Sequence, residues 1–352
     1  MQTKKRWILS YRGYGSGRAH LRNSLFMLLL LVAALALVVG LSLAFIMWMP
    51  GNSYTGAFEP LTEHERTIQD KLRNHVRTLA GEIGERNLWR DEELQASAAF
   101  ISSTLEGYGY RVREQPYPVL GKLVKNIEVE IAGSSAAEEI VIVGAHYDSA
   151  IGSPGANDNG SGVAALLEIA RLFQDLECSR TVRFVFFTNE ESPFFQTDEM
   201  GSRVYARRSR ELNEKIVAML SLETIGYYSN ENGSQKYPFP FRSLYPETGN
   251  FLAFVGNLAS RRLVHRTITS FRRSASFPSE GIAAPEWITG ISWSDQWSFW
   301  QESYPAIMLT DTALFRYPAY HTEIDTPEKI DYTALARVVQ SLFNVILELS
   351  EK

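Results

Sequence analysis

The chain of 352 residues predicts an α/β fold: a mixed, centrally parallel sheet with helices on both faces, preceded by one transmembrane helix. Three observations lead there. Ile140 to Val143, Thr181 to Phe187 and Ile216 to Leu222 are apolar runs without interruption or nearly so, the pattern of strands buried on both faces. Between the first two, Ser161 to Leu176 carries Val163, Leu166, Leu167, Ala170 and Phe173 at helical spacing, and Gly201 to Arg208 forms a short helix before the third. Alternating elements of this kind wind into a parallel sheet that binds ligands at the carboxyl ends of its strands. Finally, Leu25 to Met49 contains no charged residue, and at about 1.5 Å per residue it can cross the roughly 30 Å hydrocarbon core of a bilayer.

Residues 1–24 hold Lys4, Lys5, Arg6, Arg12, Arg18 and Arg22 and no acid. The apolar run that follows exceeds the about 7 to 15 residues of a signal peptide and ends in Met-Trp-Met-Pro, without a small-residue cleavage site. An uncleaved anchor at 25–49 is the expectation, with the basic tail 1–24 in the cytosol and the remainder on the extracytoplasmic side. Residues 50–60 read as a turn-rich linker and 61–352 as one catalytic domain. With the six tail cations set aside, 29 lysines and arginines face 40 acids, a formal charge near −11. This argues against a nucleic-acid partner and suits a domain that gathers carboxylates around a cation. Cys178, the one cysteine, excludes a disulfide framework or a thiolate metal site.

In chain order, Thr62 with Glu65 makes a capping box for a surface helix to about Leu79, and a second helix runs from about Glu92 to Leu105 before Gly107 and Gly109. Tyr110 to Tyr117 and Val124 to Ile131 alternate as strands, the latter leading into Ile140 to Ala145 through the Gly133-Ser134-Ser135 turn. Tyr227 to Tyr245 is loop-like. Gly249 to Ser260 is expected to be helical, Arg261 to Arg273 a solvated face, and Pro327 to open a closing helix over Glu328 to Leu349.

Chemistry-bearing residues cluster at the predicted strand ends. His146 and Asp148 follow the first core strand and point the same way, so the carboxylate can fix the imidazole tautomer. Alone, such a pair is more often a satisfied polar contact than a ligand. Asp158 lies in the turn Gly155 to Gly162, where Asp, Asn and Gly are favoured for conformational reasons alone. Glu190 and Glu191 end the second strand, where desolvated acids need a positive partner and adjacent side chains diverge, leaving one to ligate and one to move a proton. Glu223 ends the third strand, and His321 precedes the last helix. Two His and three acids are the set that two zinc ions need when one carboxylate bridges them.

Taken in order, H-Y-D-S, G-A-N-D-N-G-S-G, N-E-E, S-L-E-T-I-G and Y-H-T-E-I-D-T resemble the M28 family of zinc peptidases, which includes aminopeptidases, glutamate carboxypeptidases and glutaminyl cyclases. The resemblance covers roughly residues 60 to 350 and implies a zinc exopeptidase-like fold with two Zn2+ per chain. It assigns His146, Asp158 and Glu223 to one ion and Asp158, Glu191 and His321 to the other, with Asp158 bridging. Glu190 becomes the general base and acid, Asp148 the partner of His146, and the Asp158–Asn159 peptide cis. The implied activity is a membrane-anchored aminopeptidase acting on peptides.

The sequence departs from the family pattern at Glu223, where many members have Asp, and at Ser294-Asp295-Gln296, where relatives often read Ser-Asp-His. Ile291, Ser292 and Trp293 stand where some relatives supply a tyrosine, so the oxyanion partner is unassigned. Trp287, Trp293, Trp297, Phe299 and Trp300 divide between core and specificity pocket. Arg316 has two readings, a substrate-carboxylate contact and a structural ion pair. Two other functions stay open: a one-zinc glutaminyl cyclase, in keeping with the Ser192 to Met200 loop, and an inactive receptor-like ectodomain.

Overall fold

The computed structural model describes residues 16–351; Lys4, Lys5, Arg6 and Arg12 of the basic tail lie outside them. Two units are separate in contact terms, residues 1–47 and 48–352. The first is the helix α1, Ser16–Met47, which begins before the expected Leu25: Ala19, Leu21 and Arg22 are good helix formers and no proline intervenes. Within it, His20–Met47 is long and apolar enough to cross a membrane, by length and composition.

The second unit is built on an eight-stranded sheet. Its elements are α2 Glu63–Val76, α3 Asp91–Gly107, β1 Arg113–Val119, β2 Lys122–Ile131, β3 Ala136–His146, α4 Gly162–Phe173, β4 Arg180–Phe187 and α5 Gly201–Glu211. They continue with β5 Lys215–Glu223, β6 Leu252–Gly256, α6 Arg261–Ser274, β7 Ser279–Ala283, α7 Gln296–Gln301, β8 Ala306–Thr310 and α8 Tyr332–Ser350. The strand order is β1-β2-β4-β3-β5-β8-β6-β7. The central four, β4, β3, β5 and β8, are parallel, while β2 joins β4 and β6 joins β8 antiparallel. Helices α2, α3, α4, α6 and α8 cover one face, and α5 and α7 the other.

The core strands are apolar on both sides because both sides are covered: Val141 to Val143, Phe184 to Phe187 and Leu220 are fully buried. Thr62 caps α2 with the reciprocal Glu65 bond, after which the helix widens into a π segment, Arg77–Ile83, that ends at Gly84 with φ +85°.

Three expectations are corrected. Gly249 to Ser260 is not a helix: Leu252–Gly256 is β6, a five-residue run too short to be distinguished from a helical segment by periodicity. Arg261 to Arg273 is the amphipathic helix α6, whose Leu263, Val264, Ile268 and Phe271 are buried. The closing helix starts later than Glu328: a 3-10 turn spans Pro327–Lys329, and Asp331 caps α8 through Thr333 N and Ala334 N.

Candidate active site

The parallel strands deliver polar side chains to one rim. His146 is the last residue of β3 and Glu223 of β5; β4 ends at Phe187, followed by Asn189, Glu190 and Glu191. Asp158 comes from the turn before α4, where the Asp158–Asn159 peptide is cis, as the family resemblance implies. His321 arrives from the loop between β8 and α8. Asn189, Thr224 and His321 have positive φ, 56°, 42° and 57°. Such backbone is tolerated by Asn but costs a β-branched Thr more, and it clusters where geometry is imposed by a site.

The candidate residues from both ends of the sequence converge. His146 Nε2 lies 3.3 Å from Asp158 Oδ1 and 3.2 Å from Glu223 Oε2. His321 Nε2 lies 2.9 Å from Asp158 Oδ2 and 3.3 Å from Glu191 Oε2. Two trios result, His146-Asp158-Glu223 and Asp158-Glu191-His321, each with ligand atoms within 4.8 Å of one another, and Asp158 belongs to both. Glu190 stands apart from the trios, its Oε2 3.8 Å from His146 Nε2.

The donor set fits metal. Both nitrogens of His146, both oxygens of Asp158 and Oε1 of Glu191 are buried without a hydrogen bond. At these separations the atoms aim at shared space instead of at each other. Leaving so many buried polar atoms unpaired would be costly without a cation between them. Imidazole and carboxylate are the borderline and hard donors that zinc accepts.

The electrostatics agree. Burial raises Glu190 well above the usual carboxylate range, with Glu223 and Glu191 adding to it against the pull of His146. Burial likewise pushes Glu191 up to about 7 and raises Glu223. His146 is driven upward because Glu190 and Glu223 outweigh its own desolvation. The residues crowd negative charge into a dry cleft and leave two imidazoles to answer it.

Neighbouring residues hold this arrangement. Asp148 accepts from Glu190 N and Glu191 N, each at 3.1 Å, so it orients the Glu-Glu turn while its Oδ1 sits 3.5 Å from His146 Nδ1. Asp325 accepts from Asn157 N at 2.8 Å, Asp158 N at 3.1 Å and the Tyr317 hydroxyl at 2.7 Å. Asn159 accepts from Gly162 N and Thr224 N and donates to Leu222 O, tying the Asp158 turn to β5. Ser294 Oγ donates to Glu223 Oε2 at 2.7 Å. Arg86, fully buried, donates to the carbonyls of Tyr147, Pro154 and Gly155.

Sequence reading missed Asp325, Asn159, Ser294 and Arg86 in these positioning roles. The first three lie inside quoted motifs, which was the available signal; Arg86 carried none, because the carbonyls it ties to the site, those of Tyr147, Pro154 and Gly155, are more than 60 residues away. Arg316 is structural: it is buried, donates to Gln235 Oε1 and Phe251 O, and lies over the Phe251 ring. Gln296 donates to Ile291 O. Phe299 and Trp300 are core, Trp287 is 84% exposed, and Trp293 lines a cavity of about 120 Å³ that opens beside Glu223 and Tyr320.

Residues 126–346 match the model of peptidase family M28. An Escherichia coli K12 protein, the uncharacterized YfbL, is 37% identical over 286 residues, covering 79% of this chain and 87% of that one. Leucine aminopeptidase 1 of Arthroderma otae is 26% identical over 283 residues, 76% of this chain and 67% of that one. Among solved structures, the zinc aminopeptidase BSAP of Bacillus subtilis superposes with TM-score 0.64 at 15% identity, over 80% of this chain and 95% of that one. Glutaminyl cyclase of Fimbriiglobus ruber superposes at 0.60 and 19%, over 84% and 97%. These two likenesses speak to fold alone. The family match spans more than half of the sequence, and the chain belongs to peptidase family M28.

Proposed function

We propose that this protein is a membrane-anchored aminopeptidase that holds two zinc ions and removes amino-terminal residues from peptides. The single observation that carries the reading is the pair of trios sharing Asp158. His146, Asp158 and Glu223 would hold one ion and Asp158, Glu191 and His321 the other, with Asp158 common to both sets. Zinc, when bound there, supplies Lewis acidity and lowers the pKa of water towards about 7.

The chain's own residues do the rest. Glu190 is free of both trios and at the rim, placed to take the proton of the attacking water and return it to the leaving amine. Asp148 holds Glu190 and Glu191 by their backbone N–H groups and steadies His146. One ion needs only one complete trio, so the presence of two that share Asp158 favours the two-ion hydrolase over a one-zinc cyclase. The same retention of buried acids argues against an inactive ectodomain.

His20–Met47 supports anchoring through residues 25–49, with 1–24 cytosolic, 50–60 a linker and 61–352 catalytic on the extracytoplasmic side; the alternative of a cleaved signal sequence fits its length and sequence less well. Replacing Glu190 by Gln should retain metal, measured by elemental analysis, and lower kcat on aminoacyl substrates by about 10²-fold to 10⁴-fold. Full turnover in that variant would remove Glu190 from its role.

A further inference from the structure

The face of the sheet opposite α6 carries a feature that the proton chemistry does not use. Register pairs run straight across four strands: Glu223 of β5 opposite Thr310 of β8, Thr310 opposite Ala253 of β6, and Ala253 opposite Glu280 of β7. Directly paired residues project to the same face, and all four line the cavity beside the candidate metal site. The next row on that face, Met308, Val255 and Ile282, is apolar. The cavity floor therefore begins at a candidate metal ligand and ends at a second carboxylate, three strand spacings or about 14 Å away across the sheet.

Its roof is also apolar and aromatic. Tyr237 and Tyr245 stack at 5.6 Å over the Glu280 end, with Phe241 beside them. Neither phenol serves Glu280: the Tyr237 hydroxyl donates to Pro246 O and that of Tyr245 to Gly281 O at 2.8 Å. Among the described residues Glu280 has no hydrogen-bond or ion-pair partner. Gly281, its neighbour, faces Ile268 of α6, so Glu280 itself is turned from that helix. Arg272 attracts Glu280 through its charge, but its guanidinium donates to Ser279 Oγ, Ser279 O, Pro50 O and Gly51 O and not to the Glu280 carboxylate. Burial raises the Glu280 carboxyl above its ordinary range, as expected of an acid awaiting a counter-charge.

We propose that Glu280 is the specificity-determining residue of this cavity and selects substrates whose amino-terminal residue is Lys or Arg. A long apolar stem suits the Met308, Val255 and aromatic walls, and its cationic head reaches the acid at the far, β7 end of the cavity. A branched aliphatic side chain fills the near half and leaves Glu280 desolvated and unpaired.

The inference rests on the aminopeptidase reading, and the test separates the two. Initial rates on Arg-, Lys- and Leu-p-nitroanilide are measured with the zinc-loaded full chain, with Glu280→Gln and with Glu280→Leu, the last being compatible with an edge strand should the first misfold. Preference for Arg and Lys over Leu of at least tenfold in kcat/KM, falling at least tenfold in either variant, is the expected result. A wild-type chain that cleaves Leu as well as Arg, or variants with an unchanged Arg-to-Leu ratio, would overturn it. If no aminoacyl substrate is cleaved, the aminopeptidase reading fails; calorimetry with argininamide and leucinamide then decides the pocket alone. Tighter argininamide binding that is lost in Glu280→Gln sustains the assignment, and equal affinities end it.

Discussion

At the scale of single residues, the site depends on side chains that never touch a metal. Ser294 holds one oxygen of Glu223 at 2.7 Å, and groups that orient metal ligands typically change affinity by about 10-fold to 100-fold when removed. Ser294→Ala should weaken zinc binding by that range in a competition titration against a chromophoric chelator; an unchanged constant would make the bond incidental. Asp311 gives a second, independent test. Burial pushes its carboxyl up to about 6, although Asn157 Nδ2 and the N–H groups of Tyr227 and Ala313 bond it. A folded pKa above the unfolded value adds stability that is complete below about pH 4 and is lost as pH rises through 6. Unfolding free energy should therefore fall over that window more steeply in the wild type than in Asp311→Asn, and parallel slopes in urea titrations would refute the assignment. His146, Glu191 and Glu223 could be read in the sequence because each follows an apolar run, and Asp158 and His321 because they stand in short polar motifs. Arg86 could not, since most of what it binds is backbone brought near by folding, and no local periodicity records that.

At the scale of elements, the strands that carry ligands are those whose sequence is unambiguous: β3, β4 and β5 are long, apolar and bounded by polar residues. The short strands β6, β7 and β8 are five residues each, below the length at which a buried strand can be told from a helical segment. This is why Leu252–Gly256 was expected to be helical, and why the cavity floor those strands build was invisible before the sheet was assembled. The Asp158 turn is held between α4 and β5 by close approach. A Cβ at Gly162 would lie 2.6 Å from Leu222 O and 2.3 Å from Asn159 Oδ1, and neither neighbour is a free side-chain end. Overpacking of this kind typically costs about 1–3 kcal/mol. Gly162→Ala should lose that much in chemical denaturation and lose metal affinity with it; a variant with wild-type stability would show that the turn yields.

For the whole molecule, the organisation is a sheet that collects one acid or imidazole from each of several distant segments, and a separate apolar helix at the amino end. If that helix is an anchor, the full chain should remain with membranes after alkaline carbonate extraction, while residues 48–352 should appear in the soluble fraction; release of the full chain by carbonate would contradict anchoring. On the function proposed above, side chains from positions 146 to 321 would form two cation sites that share Asp158. Metal content measured after dialysis of the purified chain against zinc tests it most directly. Two ions are expected per wild-type chain, one in His321→Ala, and neither held tightly in Asp158→Asn. A single ion in the wild type, or two retained by Asp158→Asn, would contradict it.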